Sequence, residues 1–354
     1  MGLRRMCLKR RNLLHLATAV YILLVVYSLT NGNGRCRYEM QTIFADPMFT
    51  DYVEGGKCRV DISNLGLVDI DLYEEANITD VETANEHVAI GGKWKPHDCR
   101  SWQKVAILVP YRNRWQHLVL LLKRLHTLLQ KQKITYQIFV IEQEGDEKFN
   151  RGRLLNIGVK ESLKEDNFDC FIFHDVDLLP ENDKNIYYCD NQARHLASAI
   201  DEMRYHVMYY NYAGGVIAVN HENIFRVNGY SNVYWGWGNE DDDFSARTIE
   251  TGLLLTRPPQ YIGRYKMVRH PKQWRADNGQ DLFLTWRSRW RTDGLSSLDH
   301  TLYKVVSKEQ KALFTQVTVD IGKPPPHPPI DARMPRESWI WCVFYQILKF
   351  CLKN

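Results

Sequence analysis

Apolar and polar positions alternate in blocks along the middle of this chain. Lys104-Val-Ala-Ile-Leu-Val109 is a short continuous apolar run closing at Pro110, the pattern of a strand buried on both faces. Trp115 to Gln130 follows with leucines at helical spacing. Tyr136 to Ile141 reads as a second strand, and Arg151 to Lys164 as an amphipathic helix packing through Leu154, Leu155 and Ile157-Gly158. Cys170-Phe-Ile-Phe173 is a third buried strand. Strand and helix alternate, which predicts an α/β domain with a mainly parallel central sheet. Such sheets bind ligands beyond the carboxyl ends of their strands. The two most polar motifs, Tyr111-Arg-Asn-Arg114 and His174-Asp-Val-Asp177, fall at those ends.

The pattern differs at both termini. Leu13 to Leu29 is apolar apart from His15, Thr18 and Ser28, and Arg4, Arg5, Lys9, Arg10 and Arg11 precede it. A helix of about 17–20 residues just crosses the hydrocarbon core, and basic residues on its N-terminal side keep that end cytosolic. This predicts a cytosolic tail over 1–11, a signal-anchor helix over 12–30 and a lumenal remainder. A cleaved signal peptide is the alternative, but the run is long for one and Asn31-Gly32-Asn33-Gly34 is a poor cleavage site. Residues 31–95 are polar, acidic in patches and without sustained period, and read as a stem. The catalytic domain then spans 96–325. The tail over 326–354 contains Trp339 to Leu348, too short a run to span a bilayer.

Charge and cysteine use narrow the class. The net charge is +4 over 354 residues, with much of the excess in the cytosolic tail, so a basic stripe for nucleic acid is not indicated. Of eight cysteines, Cys58, Cys99, Cys170 and Cys189 are among those in the lumenal region, with Cys36 just past the membrane, and an oxidising compartment allows two disulfides there. Spacing alone does not tell the pairing. The sequon Asn77-Ile-Thr79 fits the same side of the membrane.

Two clusters carry candidate chemistry. A buried strand ending in Asp175 and Asp177 puts carboxylates where charge is costly unless neutralised. Such oxygens suit Mn²⁺ or Mg²⁺ bridging to a diphosphate, although an isolated Asp-x-Asp more often caps a loop. Tyr234-Trp-Gly-Trp-Gly-Asn-Glu-Asp-Asp-Asp243 ends in four consecutive acids. A solvated helix N-terminus accounts for the acids, but not for two tryptophans interleaved with glycines before them. Glycine lets a ligand approach the backbone, tryptophan offers a platform for a sugar ring, and a carboxylate can take a hydroxyl proton. Met267-Val-Arg-His270 reads on its own as packing. Arg112, Arg114 and Arg151 are either surface charge or partners for phosphate.

Together, Pro110-Tyr-Arg-Asn-Arg114, Phe149-Asn-Arg151 with Leu155-Asn-Ile-Gly158, Asp175-Val-Asp177, Ala213-Gly-Gly-Val216, Asn228-Gly-Tyr230, Trp235 to Asp243 and Met267-Val-Arg-His270 resemble the β-1,4-galactosyltransferase family. The resemblance runs in order from Lys95 to Gly322 and takes in Arg291 to Ser297 and Gln316 to Gly322. It implies a GT-A nucleotide-sugar transferase fold in a single-pass type II protein of the Golgi membrane, its catalytic domain lumenal. It implies Mn²⁺-dependent, inverting transfer of galactose from UDP-galactose to the 4-hydroxyl of an acceptor sugar, terminal GlcNAc or Glc on glycoprotein or glycolipid. Asp177, Met267 and His270 would hold the metal. Pro110, Tyr111, Arg112, Asn113, Arg114, Phe149, Asn150, Arg151, Asp175, Val176, Tyr212 and Trp237 would line the donor pocket. Gly238, Asn239, Glu240, Asp242 and Phe283 would meet the acceptor, and Asp241 would be the base. The implied disulfides are Cys58–Cys99 and Cys170–Cys189.

Three positions depart from the family pattern. Asn239 stands where glycine is usual, Ala213 replaces an aromatic residue, and Leu282 replaces the arginine expected for the acceptor N-acetyl group. Tyr212, two residues before the Gly-Gly pair, implies galactose as donor sugar. The alternatives are a related N-acetylgalactosaminyl- or N-acetylglucosaminyltransferase, an inactive sugar-binding module on the same fold, and a nucleotide-sugar hydrolase. Oligomeric state is left open.

Overall fold

A computed structural model describes residues 56–271 and 278–325, which fall within one compact unit. The chain passes through a short helix α1 (Ile78–Ala84) and strand β1 (Lys93–Trp94) into an alternating run: β2 (Lys104–Tyr111), α2 (Trp115–Lys131), β3 (Thr135–Gln143), α3 (Arg151–Leu163) and β4 (Cys170–His174). The five elements from β2 to β4 form where their patterns predict. Val105 to Val109 are fully buried in β2, and α2 turns Leu118, Leu121, Leu122, Leu125, Leu128 and Leu129 inward at helical spacing. Asn150 Oδ1 accepts from Arg153 N at 2.9 Å, capping the start of α3.

Beyond β4 the chain leaves the sheet as β5 (Leu178–Pro180) and returns as β6 (Ala193–His195). After β7 (Ala199–Ile200) it re-enters as β8 (Val216–Asn220), then follows α4 (His221–Arg226), α5 (Glu240–Glu250), β9 (Leu255–Thr256) and β10 (Arg264–Met267). Helices α6 (Gly279–Leu284) and α7 (Trp286–Arg289) precede a closing hairpin of β11 (Lys304–Gln310) and β12 (Thr315–Asp320). A nine-stranded sheet runs β11-β12-β3-β2-β4-β8-β6-β9, with β1 also on β3; a second sheet is β5-β10-β7.

The large sheet is mixed, which corrects the expectation of a mainly parallel one. Strands β12, β3, β2 and β4 are parallel neighbours, and β9 is parallel to β6. β8 is antiparallel to both β4 and β6, β11 to β12, and β1 to β3. The reversal at β8 follows from its register: His174 at the end of β4 pairs with Val216 at the start of β8. The chain therefore re-enters at the end where it left. Phe139, Ile141, Phe171, Phe173, Ile217, Tyr230 and Phe244 form part of the core between this sheet and helices α3 and α5.

Residues 56–95, expected as part of a stem, lie in the same compact unit and include α1 and β1. Backbone bonds fix them: Val68 N donates to Glu181 O and Asp183 N to Gly66 O, both at 2.8 Å. Lys266 Nζ reaches Ile70 O at 2.9 Å. The disulfide Cys58–Cys99 closes this region, and Cys170–Cys189 joins β4 to the segment before β6, as the resemblance implies. No helix among the described residues is long and apolar enough to cross a membrane. The tail over 1–11, the anchor over 12–30, the first part of the stem and the segment 326–354 lie outside the described residues.

Candidate active site

At the end of β4 the chain turns through Asp175, Val176 and Asp177 into β5. Antiparallel pairing with β10 sets Met267 opposite Leu178, and Val268 N donates to Asp177 O at 2.8 Å. His270 is thereby delivered to the same corner, its Nε2 2.7 Å from Asp177 Oδ2. Hydrogen bonding to Asp177 raises the His270 pKa, and burial opposes it. Arg114 Nη1 lies 3.9 Å from Asp177 Oδ2, with Nη2 3.0 Å from His270 Nδ1.

This corner suits a divalent cation. His270 Nδ1 also lies 2.8 Å from Pro271 O. In the tautomer with Nδ1 protonated, Nδ1 donates to that carbonyl rather than accepting from Arg114, which would orient the ring to ligate through its other nitrogen. No cluster of three or more His, Cys, Asp or Glu side chains able to hold a metal occurs among the described residues. Met267, paired with Leu178 at the end of β10, is the further ligand that the family resemblance implies. A carboxylate, an imidazole and a thioether together would suit a transition-metal ion better than Mg²⁺ or Ca²⁺.

Arg151 is the hub of the site. Its Nε lies 2.6 Å from Asp175 Oδ1 and its Nη1 2.6 Å from Asp241 Oδ1, with Glu240 Oε1 at 3.8 Å. The N-termini of α3 and α5 both point at the end of β4, so three carboxylates share one guanidinium. Burial pushes the Asp175 carboxyl up to about 6, against the pull of Arg151. It raises Asp241 well above the ordinary carboxylate range, with Glu240, Asp175 and Asp242 adding to the effect. Asp241 nevertheless keeps 22% of its side chain exposed, which leaves it within reach of a substrate.

Around this hub stand the remaining candidates. Tyr212 packs edge-on against Tyr209 and His195, with ring centroids 5.5 and 5.4 Å apart. Its hydroxyl end lies over Gly214, where a β-carbon would overlap the ring. Tyr209 donates to Asp242 Oδ1 at 2.6 Å. Asn239 takes a left-handed φ of 73° just before α5, and asparagine is among the few non-glycine residues that tolerate it. The two tryptophans part company. Trp237 is 57% exposed, whereas Trp235 is buried beneath the guanidinium of Arg153.

On the donor side, Pro110 and Tyr111 are buried at the end of β2. Arg112 Nη1 binds Glu147 O at 2.6 Å and its guanidinium stands 5.4 Å from the Phe149 ring. Arg112 and Asn113 line a cleft of about 290 Å³ with Glu142, Glu144 and Asp146. Asn150 is fully buried, its side chain spent on the α3 cap and on Asn232 O; it aims Arg151 from beneath the site. Val176 is buried, Gly238 has open space about it, and Phe283 lies on α6, apart from the Arg151 cluster in sequence. Asn77 caps α1 on the exposed surface.

Sequence reasoning missed four contributors. His117 lies one turn along α2 from Arg114, its ring centroid 6.2 Å from that of His270; the i, i+3 spacing was the available signal. Tyr209 holds Asp242, and Arg257 Nη2 grips the carbonyls of Tyr210 and Tyr212 at 2.8 and 2.7 Å. Arg289 reaches Asp243 at 2.7 Å. Nothing in the spacing of the last three pointed to these contacts.

Residues 58–190 match the family model described as the N-terminal region of glycosyl transferase group 7, and 194–271 the one described as the N-terminal domain of galactosyltransferase. β-1,4-Galactosyltransferase 4 of Homo sapiens is 46% identical over 253 residues, covering 70% of this chain and 71% of its own. β-1,4-Galactosyltransferase 3 of Cricetulus griseus is 41% identical over 284 residues, covering 77% and 70%. The solved catalytic domain of Drosophila β-1,4-galactosyltransferase 7, in complex with xylobiose, superposes with a TM-score of 0.54 at 28% identity, over 62% of this chain and 94% of that one. A mutant of that enzyme in complex with manganese, UDP-Gal and xylobiose gives 0.53 at 27% identity.

Proposed function

This chain belongs to the β-1,4-galactosyltransferase family and is a glycosyltransferase, and on that premise we propose that it transfers galactose from UDP-galactose to the 4-hydroxyl of an acceptor sugar with inversion. Terminal GlcNAc or Glc on a glycoprotein or glycolipid is the acceptor, and a Golgi lumenal site behind a type II anchor is the setting. The α-linked donor and β-linked product are connected by one in-line displacement. The acceptor O4 attacks C1 and gives its proton to Asp241. The C1–O bond to phosphate breaks, and UDP leaves with the bonding pair.

The residues divide this work. Asp241 takes the proton. Arg151 keeps Asp241 and Asp175 at fixed positions. Arg112, Arg114 and Phe149 bind and orient the donor, Trp237 and Tyr212 flank its sugar, and Glu240, Asp242 and Phe283 receive the acceptor. Mn²⁺ held by Asp177, Met267 and His270 would supply counter-charge for the diphosphate.

The observation that carries this reading is the meeting of Arg151 with both Asp175 and Asp241 at 2.6 Å, which brings the strand-terminal Asp175 and the candidate base to one guanidinium. Asp241→Asn is the test. It should keep UDP-galactose affinity and lower turnover by about two to four orders of magnitude, the usual worth of a positioned base. Turnover near the wild-type rate would give the base to another group.

A further inference from the structure

Every N–H of the Arg289 guanidinium has an acceptor. Nε lies 3.2 Å from Asp293 Oδ2. Nη1 lies 2.6 Å from Leu282 O and 3.2 Å from Thr285 Oγ1. Nη2 lies 3.0 Å from the Tyr234 hydroxyl and 2.7 Å from Asp243 Oδ2. One side chain, 19% exposed, thus joins the α6–α7 segment, the start of the tryptophan loop, the first turn of α5 and the loop after α7.

Charge balance does not explain this arrangement. Asp243 is fully buried, but Arg247, also fully buried, already pairs with it at 2.5 Å, and the Tyr234 hydroxyl donates to it at 2.9 Å. Arg247 Nη1 also holds Asp293 O at 2.6 Å. The contact that only Arg289 adds to this group is the one to Leu282 O and Thr285 Oγ1. Those atoms flank Phe283 in sequence, whereas Asp243 directly follows Glu240, Asp241 and Asp242.

We propose that Arg289 is a positioning residue for the acceptor: it sets the spacing between the Phe283 segment and the acidic start of α5. The inference rests on the acceptor roles given to those residues above. A guanidinium suits the task because its planar fork spans several acceptors at once. A lysine offers three donors from a single point and cannot reach from Leu282 O to Asp243.

The test compares Arg289→Lys and Arg289→Met with wild type, using UDP-galactose, free N-acetylglucosamine and Mn²⁺. Acceptor KM, donor KM, acceptor-free UDP release and thermal midpoint are measured for each. Acceptor KM should rise about tenfold or more in both variants, as expected when a remote contact that fixes geometry is lost. Donor KM and acceptor-free UDP release should stay within about twofold of wild type, since no donor-side residue touches Arg289. Should the methionine variant fail to fold, the lysine variant, which keeps a cation beside Asp243, carries the comparison. An unchanged acceptor KM with a lowered thermal midpoint would make Arg289 a structural brace only. A parallel rise in donor and acceptor KM would equally overturn the proposal. Wild type that transfers to no acceptor sugar would overturn the functional reading itself, and shows before any variant is compared.

Discussion

Arg151 Nη1 lies 2.6 Å from Asp241 Oδ1, so the carboxylate assigned as base is held by the guanidinium that also grips Asp175. Burial and the neighbouring acids raise the Asp241 pKa, and Arg151 opposes them. A base works deprotonated, so transfer should fall as pH drops through that raised value. The acid limb of the kcat profile then lies above the ordinary carboxylate range of about 4. Arg151→Gln removes the opposing cation and should move the limb to still higher pH. The profile is measured at saturating donor and acceptor. A limb that stays put or moves down would detach Asp241 from the titration.

The corner formed by Asp177 and His270 predicts metal dependence. Asp177→Ala and His270→Ala should each lower Mn²⁺-supported transfer by about a thousandfold, ~4 kcal/mol of lost charge stabilisation. Titrating Mn²⁺ against activity checks this. Titration curves matching wild type in both variants would place the cation elsewhere.

Tyr212, proposed above to flank the donor sugar, is wedged over Gly214 with its ring against Tyr209 and His195. An N-acetyl group at the sugar 2-position would crowd that ring at a cost of roughly 1–3 kcal/mol, about ten- to a hundredfold in discrimination. Tyr212→Leu should raise transfer from UDP-GalNAc and largely spare transfer from UDP-galactose. Wild type that prefers an N-acetylhexosamine donor would sink this assignment.

The disulfide Cys58–Cys99 spans 41 residues and ties the segment beside β5 and β10 to the catalytic unit. Cys58→Ser should lower unfolding stability by about 2–4 kcal/mol, read from denaturant midpoints. A midpoint unchanged from wild type would mean that the backbone bonds of Val68 and Asp183 hold the segment unaided.

Much of the fold was legible because its central elements are long and strongly patterned. The apolar runs at Val105 and Phe171 and the leucine period of α2 each carry their own signal. The direction of β8 carried none, since a short buried strand reads the same either way. Residues 56–95 read as stem because main-chain bonds and a disulfide, rather than an apolar period, hold them in place. The site was legible as motifs but not as a constellation. Asp177 and His270 meet only through the pairing of β5 with β10, and no spacing announces that Arg151 would join Asp175 to Asp241.

Product analysis tests galactosyl transfer most directly. Incubated with UDP-galactose, N-acetylglucosamine and Mn²⁺, the protein should release UDP and a disaccharide in equal amounts. The new linkage, read by proton and carbon NMR, should be β and on the acceptor O4. An α-linked product, or UDP and free galactose without disaccharide, would contradict inverting transfer to a sugar acceptor.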